Sequence, residues 1–356
     1  MIENIDVNNL LPDEIEKIIE FLKSILGMKL VDKSSISKLI YRENDEHHCP
    51  FCNSSNIVKN GHSEKKAQRY KCNDCLRRFS DTTNKVCCYS KLTYEKWIDF
   101  FKCMVDKLSI RKAADILGLN KNTVFSMRQK VLNALSIFRK NVELSGNIQM
   151  DEKYESINLK GTKKENMPRA SKPRKSHGGS KRGISNHQVC IASAIDESDN
   201  IYIEIVGNGP ITTEMVEKAY DKRINPNSTL ITDCKSSYEK FALNNKLKLE
   251  QVKSGTYKNL NGFTLSEING LHSNLDSFMN CFIGVSTKHL QGYLDWFVYH
   301  KYLTYCVEIL KQPQAIMNYS FSRDSYIKVS DIYSKEFPID IYDVYADYNF
   351  TPSPEI

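Results

Sequence analysis

The chain has 356 residues, 40% of them hydrophobic and 26% charged, which is enough for two or three domains with cores of their own. No run approaches the roughly 18 apolar residues of a membrane span, and the first turn of sequence, with Glu3, Asp6, Asp13 and Glu14, lacks the basic start and apolar stretch of a secretory signal. Eleven cysteines, an odd number in no regular framework, fit reduced thiols in a cytoplasmic protein and exclude a secreted disulfide scaffold.

The net charge of +7 is unevenly spread. Residues 1–46 hold 6 Lys/Arg against 10 Asp/Glu, residues 47–146 hold 19 against 8, and residues 147–356 hold 25 against 25. The whole excess therefore lies in one central stretch, the footprint expected of a surface that meets a phosphate backbone.

In chain order, residues 1–46 read as an N-terminal helical segment. Ile15, Ile18, Ile19, Leu22 and Ile25 recur at helical spacing over 10–26, before Gly27, as in a packing or dimerisation helix. Residues 47–86 carry two cysteine pairs, Cys49-Pro-Phe-Cys52 and Cys72-Asn-Asp-Cys75, with nineteen residues between them. Each pair offers two thiolates from one turn, and two such turns close a tetrahedral Zn²⁺ site without help from His47 or His48. Lys59, Lys65, Lys66, Arg69, Lys71, Arg77 and Arg78 crowd around these ligands. Such a module lies on nucleic acid, or is purely structural, since zinc stabilises folding in either case.

Residues 90–142 read as a helix-turn-helix DNA-binding domain. A first helix carries Trp97, Phe100, Phe101, Met104 and Val105. Ser109 caps a second, Ile110–Leu117, which Gly118 stops, and Asn120 caps a third, Lys121–Phe138. The third helix would present its start outward, with Asn122, Thr123 and Ser126 toward base edges and Lys121 and Arg128 toward phosphates; an ordinary helical bundle is the alternative.

Residues 147–310 alternate between strand and helix. Strands are expected at 147–154, 187–195, 201–206, 229–232 and around 248–252, and helices at 213–222, 236–243, 266–282 and 287–309. Three antiparallel-type strands followed by βα units predict a mixed sheet flanked by helices. Between the first two strands, Lys160–Arg182 holds nine Lys/Arg and one Glu, among them Lys172, Arg174 and Lys175, a basic loop suited to clamping a duplex. Residues 311–356 read as an acidic, irregular tail.

Two carboxylates end strands in this domain, Asp151 after Ile148-Gln-Met150 and Asp233 after Leu230-Ile-Thr232. A carboxylate at the end of a buried strand needs a partner, and a divalent cation is one. The alternative makes Asp151 a turn residue and Asp233 a helix N-cap.

The cysteine pairs, with Arg69-Tyr-Lys before the second and Arg78-Phe-Ser80 after it, resemble the zinc ribbon of bacterial insertion-sequence transposases. Gln149-Met-Asp-Glu152, Ile231-Thr-Asp233, Asn269-Gly-Leu-His-Ser273 and the run Gly284–Phe297 resemble the catalytic domain of the same group, which has an ISXO-like catalytic domain of the DDE superfamily. The resemblance spans about residues 47–305. It implies a ribonuclease-H-like fold in which Asp151, Asp233 and His272 bind Mg²⁺ or Mn²⁺, His272 standing where the superfamily usually has Glu and Glu267 being its rival. A basic residue often found within two turns after the third ligand is missing, with Asn274 and Asp276 in that region.

The activity implied is hydrolysis at the element's end to leave a 3′-OH, followed by attack of that hydroxyl on target DNA. Terminal inverted repeats and target DNA would be the partners, in a homodimer or larger synaptic assembly associated with the nucleoid. The rival reading is a non-catalytic zinc-ribbon, helix-turn-helix regulator or an inactive transposase derivative.

Overall fold

The computed structural model describes residues 48–62, 68–80, 82–168, 184–282, 284–322 and 324–346. The expected helix at 10–26 and the loop residues Lys172, Arg174 and Lys175 lie outside that set. None of the helices described is long and apolar enough to cross a membrane.

The cysteine module is a three-stranded antiparallel sheet of β1 (Ile57–His62), β2 (Gln68–Cys72) and β3 (Arg78–Ser80). Its core is small, with Tyr70 stacked on Phe79 at 5.5 Å beside Cys49 and Cys72. The residue after each pair, Asn53 and Leu76, has positive φ, 58° and 61°. Asn tolerates this conformation and Leu does not, so the second turn needs an outside constraint. Hydrogen bonds from Ser54 Oγ and Asn56 Nδ2 to the Asp74 carboxylate, at 2.5 and 2.9 Å, join the two turns.

Three helices follow: α1 (Tyr94–Val105), α2 (Ile110–Leu117) and α3 (Lys121–Lys140). Ser109 Oγ accepts from Lys112 N at 3.3 Å and Asn120 Oδ1 from Asn122 N at 2.8 Å, while Gly118 closes α2 at φ +62°. These caps satisfy the orphan N–H and C=O groups of helix ends.

A five-stranded sheet comes next, built from β4 (Asn147–Ser156), β5 (Gln188–Asp196), β6 (Ile201–Asn208), β7 (Thr229–Thr232) and β8 (Lys248–Gln251) in the order β6-β5-β4-β7-β8. The first three strands are antiparallel, and β7 and β8 run parallel to β4. On one face lie α4 (Thr213–Tyr220) and α5 (Ser236–Asn244), whose Val216, Tyr220, Tyr238 and Phe241 pack on Ile148, Met150, Ala192 and Tyr202. The other face carries α6 (Ser266–Met279) and α7 (Thr287–Cys306).

The three N-terminal helices share a core with that second face, rather than hanging from a linker. Val131, Leu135 and Phe138 of α3 join Ile191, Ile203, Leu271 and Trp296 in one cluster. At Gly292 an added Cβ would stand 3.1 Å from Leu132, so the glycine admits the close crossing of α7 and α3. Arg139 of α3 then ties the layers together, pairing with the buried Asp295 of α7 at 2.8 Å and with Glu204 of β6 at 2.5 Å.

The C-terminal segment departs from the expected irregular tail. It forms α8 (Gln312–Ser322), α9 (Val329–Tyr333) and α10 (Ile341–Val344). Phe321 of α8 meets Trp97 and Phe101 at 5.6 and 5.9 Å, and Ile316, Tyr319, Ile339 and Ile341 are buried. Its acidic residues face water while its aromatic and branched ones cover the helices, so charge counting alone hid an apolar face.

Candidate catalytic and zinc sites

Strand β4 alternates sides. Ile148 and Met150 enter the core under α4 and α5, so Gln149, Asp151 and Lys153 point to the opposite face, toward α6. Gln149 pairs with Ile231 on the parallel neighbour β7, and two residues beyond that pair stand Asp151 and Asp233. Asp233 is the first residue beyond β7, whereas Asp151 does not end its strand as expected: β4 stays paired with β5 as far as Ser156, so Asp151 lies within the strand, just past its pairing with β7.

Helix α6 is held over this edge from both ends. Its cap residue Leu265 has no side chain able to accept, and Gln149 Oε1 takes the part, accepting from Glu267 N and Ile268 N at 3.0 and 3.1 Å. Further along, Lys153 Nζ pairs with Asp276 Oδ1 at 2.7 Å, which sets a cation one turn from His272. Between these anchors His272 Nδ1 comes to 3.8 Å from Asp151 Oδ2.

The electrostatics follow from enclosure. Burial first, then the neighbouring Glu152 charge, pushes the Asp151 carboxyl up to about 6. Burial and Lys153 hold His272 down to about 4, so its imidazole is neutral at pH 7. Its Nε2 is buried and meets no hydrogen-bond partner among the described residues. Two hard carboxylate oxygens beside a neutral imidazole with an orphan nitrogen suit a divalent cation, so the donor set fits. The three groups are not yet closed on a common point. Among the described residues, the cysteine quartet alone brings three or more His, Cys, Asp or Glu ligand atoms within 4.8 Å of one another.

Glu267, the rival third ligand, starts α6 and acts on Lys301 of α7; the contact with Asp151 comes from His272. Nor does Asp233 cap α5. The cap position is Lys235, with no side-chain bond, and Asp233 Oδ1 accepts from Lys235 N at 3.3 Å.

In the zinc module Cys49 and Cys75 Sγ lie 3.5 Å apart and Cys52 and Cys72 Sγ 3.6 Å, close to the edge of an S₄ tetrahedron with ~2.3 Å metal–sulfur bonds. The Cys75 N–H holds the Cys72 thiol down to about 7. The quartet fits a structural Zn²⁺.

Of the residues expected to touch DNA, Lys121, Asn122 and Thr123 are exposed at the start of α3, Ser126 is half-buried, and Arg77 and Arg78 are exposed on the ribbon, Arg77 lying 5.0 Å over the Phe51 ring. Arg128 is a correction. It is 0% exposed, donates to Leu108 O at 2.8 Å and lies 5.2 Å from the Trp296 ring, because the second turn of α3 has already rotated into the shared core. Arg128→Ala should therefore cost about 3 kcal/mol of folding stability, as a large core truncation does. The salt dependence of DNA binding should match wild type, whereas loss of a phosphate contact would flatten it; denaturant melts and a salt titration check this.

Sequence reasoning passed over Glu152, Lys235 and Tyr238. The signal was present in the register, because Glu152 continues the inward row Ile148, Met150, and a carboxylate in a core row requires buried donors.

Comparisons with known proteins fall on these same segments. Residues 46–76 match the InsA N-terminal domain and residues 143–301 match the ISXO2-like transposase domain. A stretch of 137 residues is 31% identical to an uncharacterized protein in transposable element ISH50 of Halobacterium salinarum, covering 38% of this chain and 44% of that one, so the match spans less than half of that relative. Solved structures of a Mos1 pre-cleavage transpososome and of a Mos1 mariner paired end complex with Mn are 13% and 14% identical, with 62% of this chain and 75% of theirs covered. Their TM-scores, 0.24 and 0.25, are too low to bear on the site. The two domain matches bear out the resemblance to zinc-ribbon, ISXO-like insertion-sequence transposases.

Proposed function

From a chain that carries an ISXO2-like transposase domain behind an InsA-type zinc ribbon, we propose a DNA transposase that binds the terminal inverted repeats of its element and catalyses metal-dependent strand cleavage and strand transfer. The observation that carries this reading is Asp151 on β4 and Asp233 just past the end of the parallel neighbour β7, under a helix that brings a neutral His272 to Asp151.

Asp151, Asp233 and His272 would hold Mg²⁺ or Mn²⁺, which supplies charge neutralisation at the scissile phosphate and activation of the attacking oxygen. The chain's own residues do the rest. Gln149 and the Lys153–Asp276 pair hold α6 against β4 and so fix His272, while burial keeps the imidazole uncharged and free to coordinate. Cleavage would leave a 3′-OH, and that hydroxyl would attack target DNA at the same site.

Addressing falls to the basic ribbon with Arg77 and Arg78, and to the exposed start of α3 with Lys121, Asn122 and Thr123. Because α3 shares its core with α7, the reading end would be fixed in orientation to the catalytic sheet. Joining two ends calls for a homodimer or larger assembly, acting in the cytoplasm at the nucleoid. The test is nicking of DNA bearing the element's ends by purified protein with Mn²⁺, comparing wild type with the two aspartate variants; equal nicking by all three would end the proposal.

A further inference from the structure

Beneath the Asp151–Asp233 edge lies a second charged group that the proposed chemistry does not use. Glu152 has a side chain 0% exposed, on the side of β4 that faces α5. Tyr238, itself fully buried, donates to Glu152 Oε2 at 2.9 Å, and Tyr154 donates to Oε1 at 3.1 Å. The remaining partner of Oε1 is Lys235 Nζ, in direct contact. Lys235 sits where β7 has ended and α5 begins, so its side chain can pass round the strand end between the two faces. On the other face the same ammonium lies 3.0 Å from Asp233 Oδ2, while Asp233 Oδ1 accepts from Lys235 N.

Both oxygens of Asp233 are thus engaged by one residue, and that residue is moored to a carboxylate with no access to water. An ordinary exposed ion pair would wander; this one is fixed at its far end, with Lys235 37% exposed and Glu152 enclosed. The arrangement also accounts for a charge problem. Asp151 and Glu152 within β4 and Asp233 past the end of β7 bring three negative charges close together, and the ammonium of Lys235 touches two of them.

We propose that Lys235, moored on Glu152, is a positioning residue that holds Asp233 in the metal-free protein by standing on the oxygen a divalent cation would take. Metal entry then requires Asp233 Oδ2 to exchange an ammonium for the ion, and Glu152 keeps the displaced ammonium close. The proposal rests on the reading of Asp151 and Asp233 as metal ligands. It differs from a structural role in sign, since removing the lysine's charge should tighten metal binding.

The test is Mn²⁺ titration of the full, zinc-loaded chain, with free Mn²⁺ read by electron paramagnetic resonance and folding by thermal melting. Lys235→Gln keeps a donor for Glu152 without the charge, and Lys235→Met serves should the first not fold. Either is expected to bind Mn²⁺ about tenfold more tightly than wild type, since one cation no longer competes at close range, with Lys235→Arg near wild type. Binding that Asp151→Asn abolishes but Lys235→Gln leaves equal or weaker would overturn this inference alone. Binding that Asp151→Asn does not weaken would remove the metal site, and this inference with it.

Discussion

Asp151→Asn and Asp233→Asn are each expected to lower Mn²⁺-dependent nicking of end-bearing DNA by about a thousandfold or more, the scale of loss when a preorganised charge is taken from a reacting centre. What separates this from simple unfolding is the direction of the stability change. The Asp151 carboxyl is raised to about 6, with burial the first cause. A raised carboxylate favours the folded state while protonated, and that contribution is lost as pH rises through about 6. Asn mimics the protonated form at every pH. Without metal, Asp151→Asn should therefore melt higher than wild type at pH 7.5, by up to about 3 kcal/mol for a shift of roughly two units, and the gap should close between pH 6 and 4. A variant more stable and inactive identifies a charge kept for function. Melting curves across that range, read beside the nicking assay, check both halves, and equal melting at pH 7.5 would count against the buried charge.

Cys72→Ser is expected to have the second large effect, on addressing instead of chemistry. Cys72 is fully buried at the end of β2, in a module whose core holds little besides Tyr70 and Phe79. Such a core cannot fold without its metal, as structural zinc sites contribute their binding energy to folding outright. The variant should release one zinc per chain and lose specific end binding by at least a hundredfold. The sheet domain has a large core of its own and should keep its melting transition. Zinc stoichiometry, end binding by gel shift and calorimetry read the three consequences, and retained end binding after zinc loss would remove the ribbon from the addressing role.

How far these sites were legible depends on the range of the interaction involved. The cysteine turns, the caps at Ser109 and Asn120 and the stop at Gly118 are local, and residue type at a given spacing carries them. The two aspartates were visible as carboxylates closing apolar runs, but Asp151 proved to lie inside a longer strand, and bringing the pair near each other required β7 to lie beside β4, a pairing between segments some eighty residues apart that periodicity does not encode. Arg128 was misread because a helical repeat tells which residues share a face and not how far along the helix solvent ends. By Arg128 the helix already lies against Trp296 of α7. Glu152 and Lys235 were missed for a related reason. Glu152 could be read from its place in the inward row of β4, but Lys235 is an ordinary surface residue by type, and their contact exists only because a chain turn carries Lys235 round the end of β7.

The central claim is that Asp151, Asp233 and His272 form one divalent cation site. Anomalous scattering from crystals of the zinc-loaded protein grown with Mn²⁺ tests it most directly. The account predicts a manganese peak within roughly 2.0–2.3 Å of an oxygen of each aspartate and of a ring nitrogen of His272, with the Lys235 ammonium moved off Asp233. A peak elsewhere, or none beside Asp151 and Asp233 with Lys235 still seated on Asp233, would contradict it.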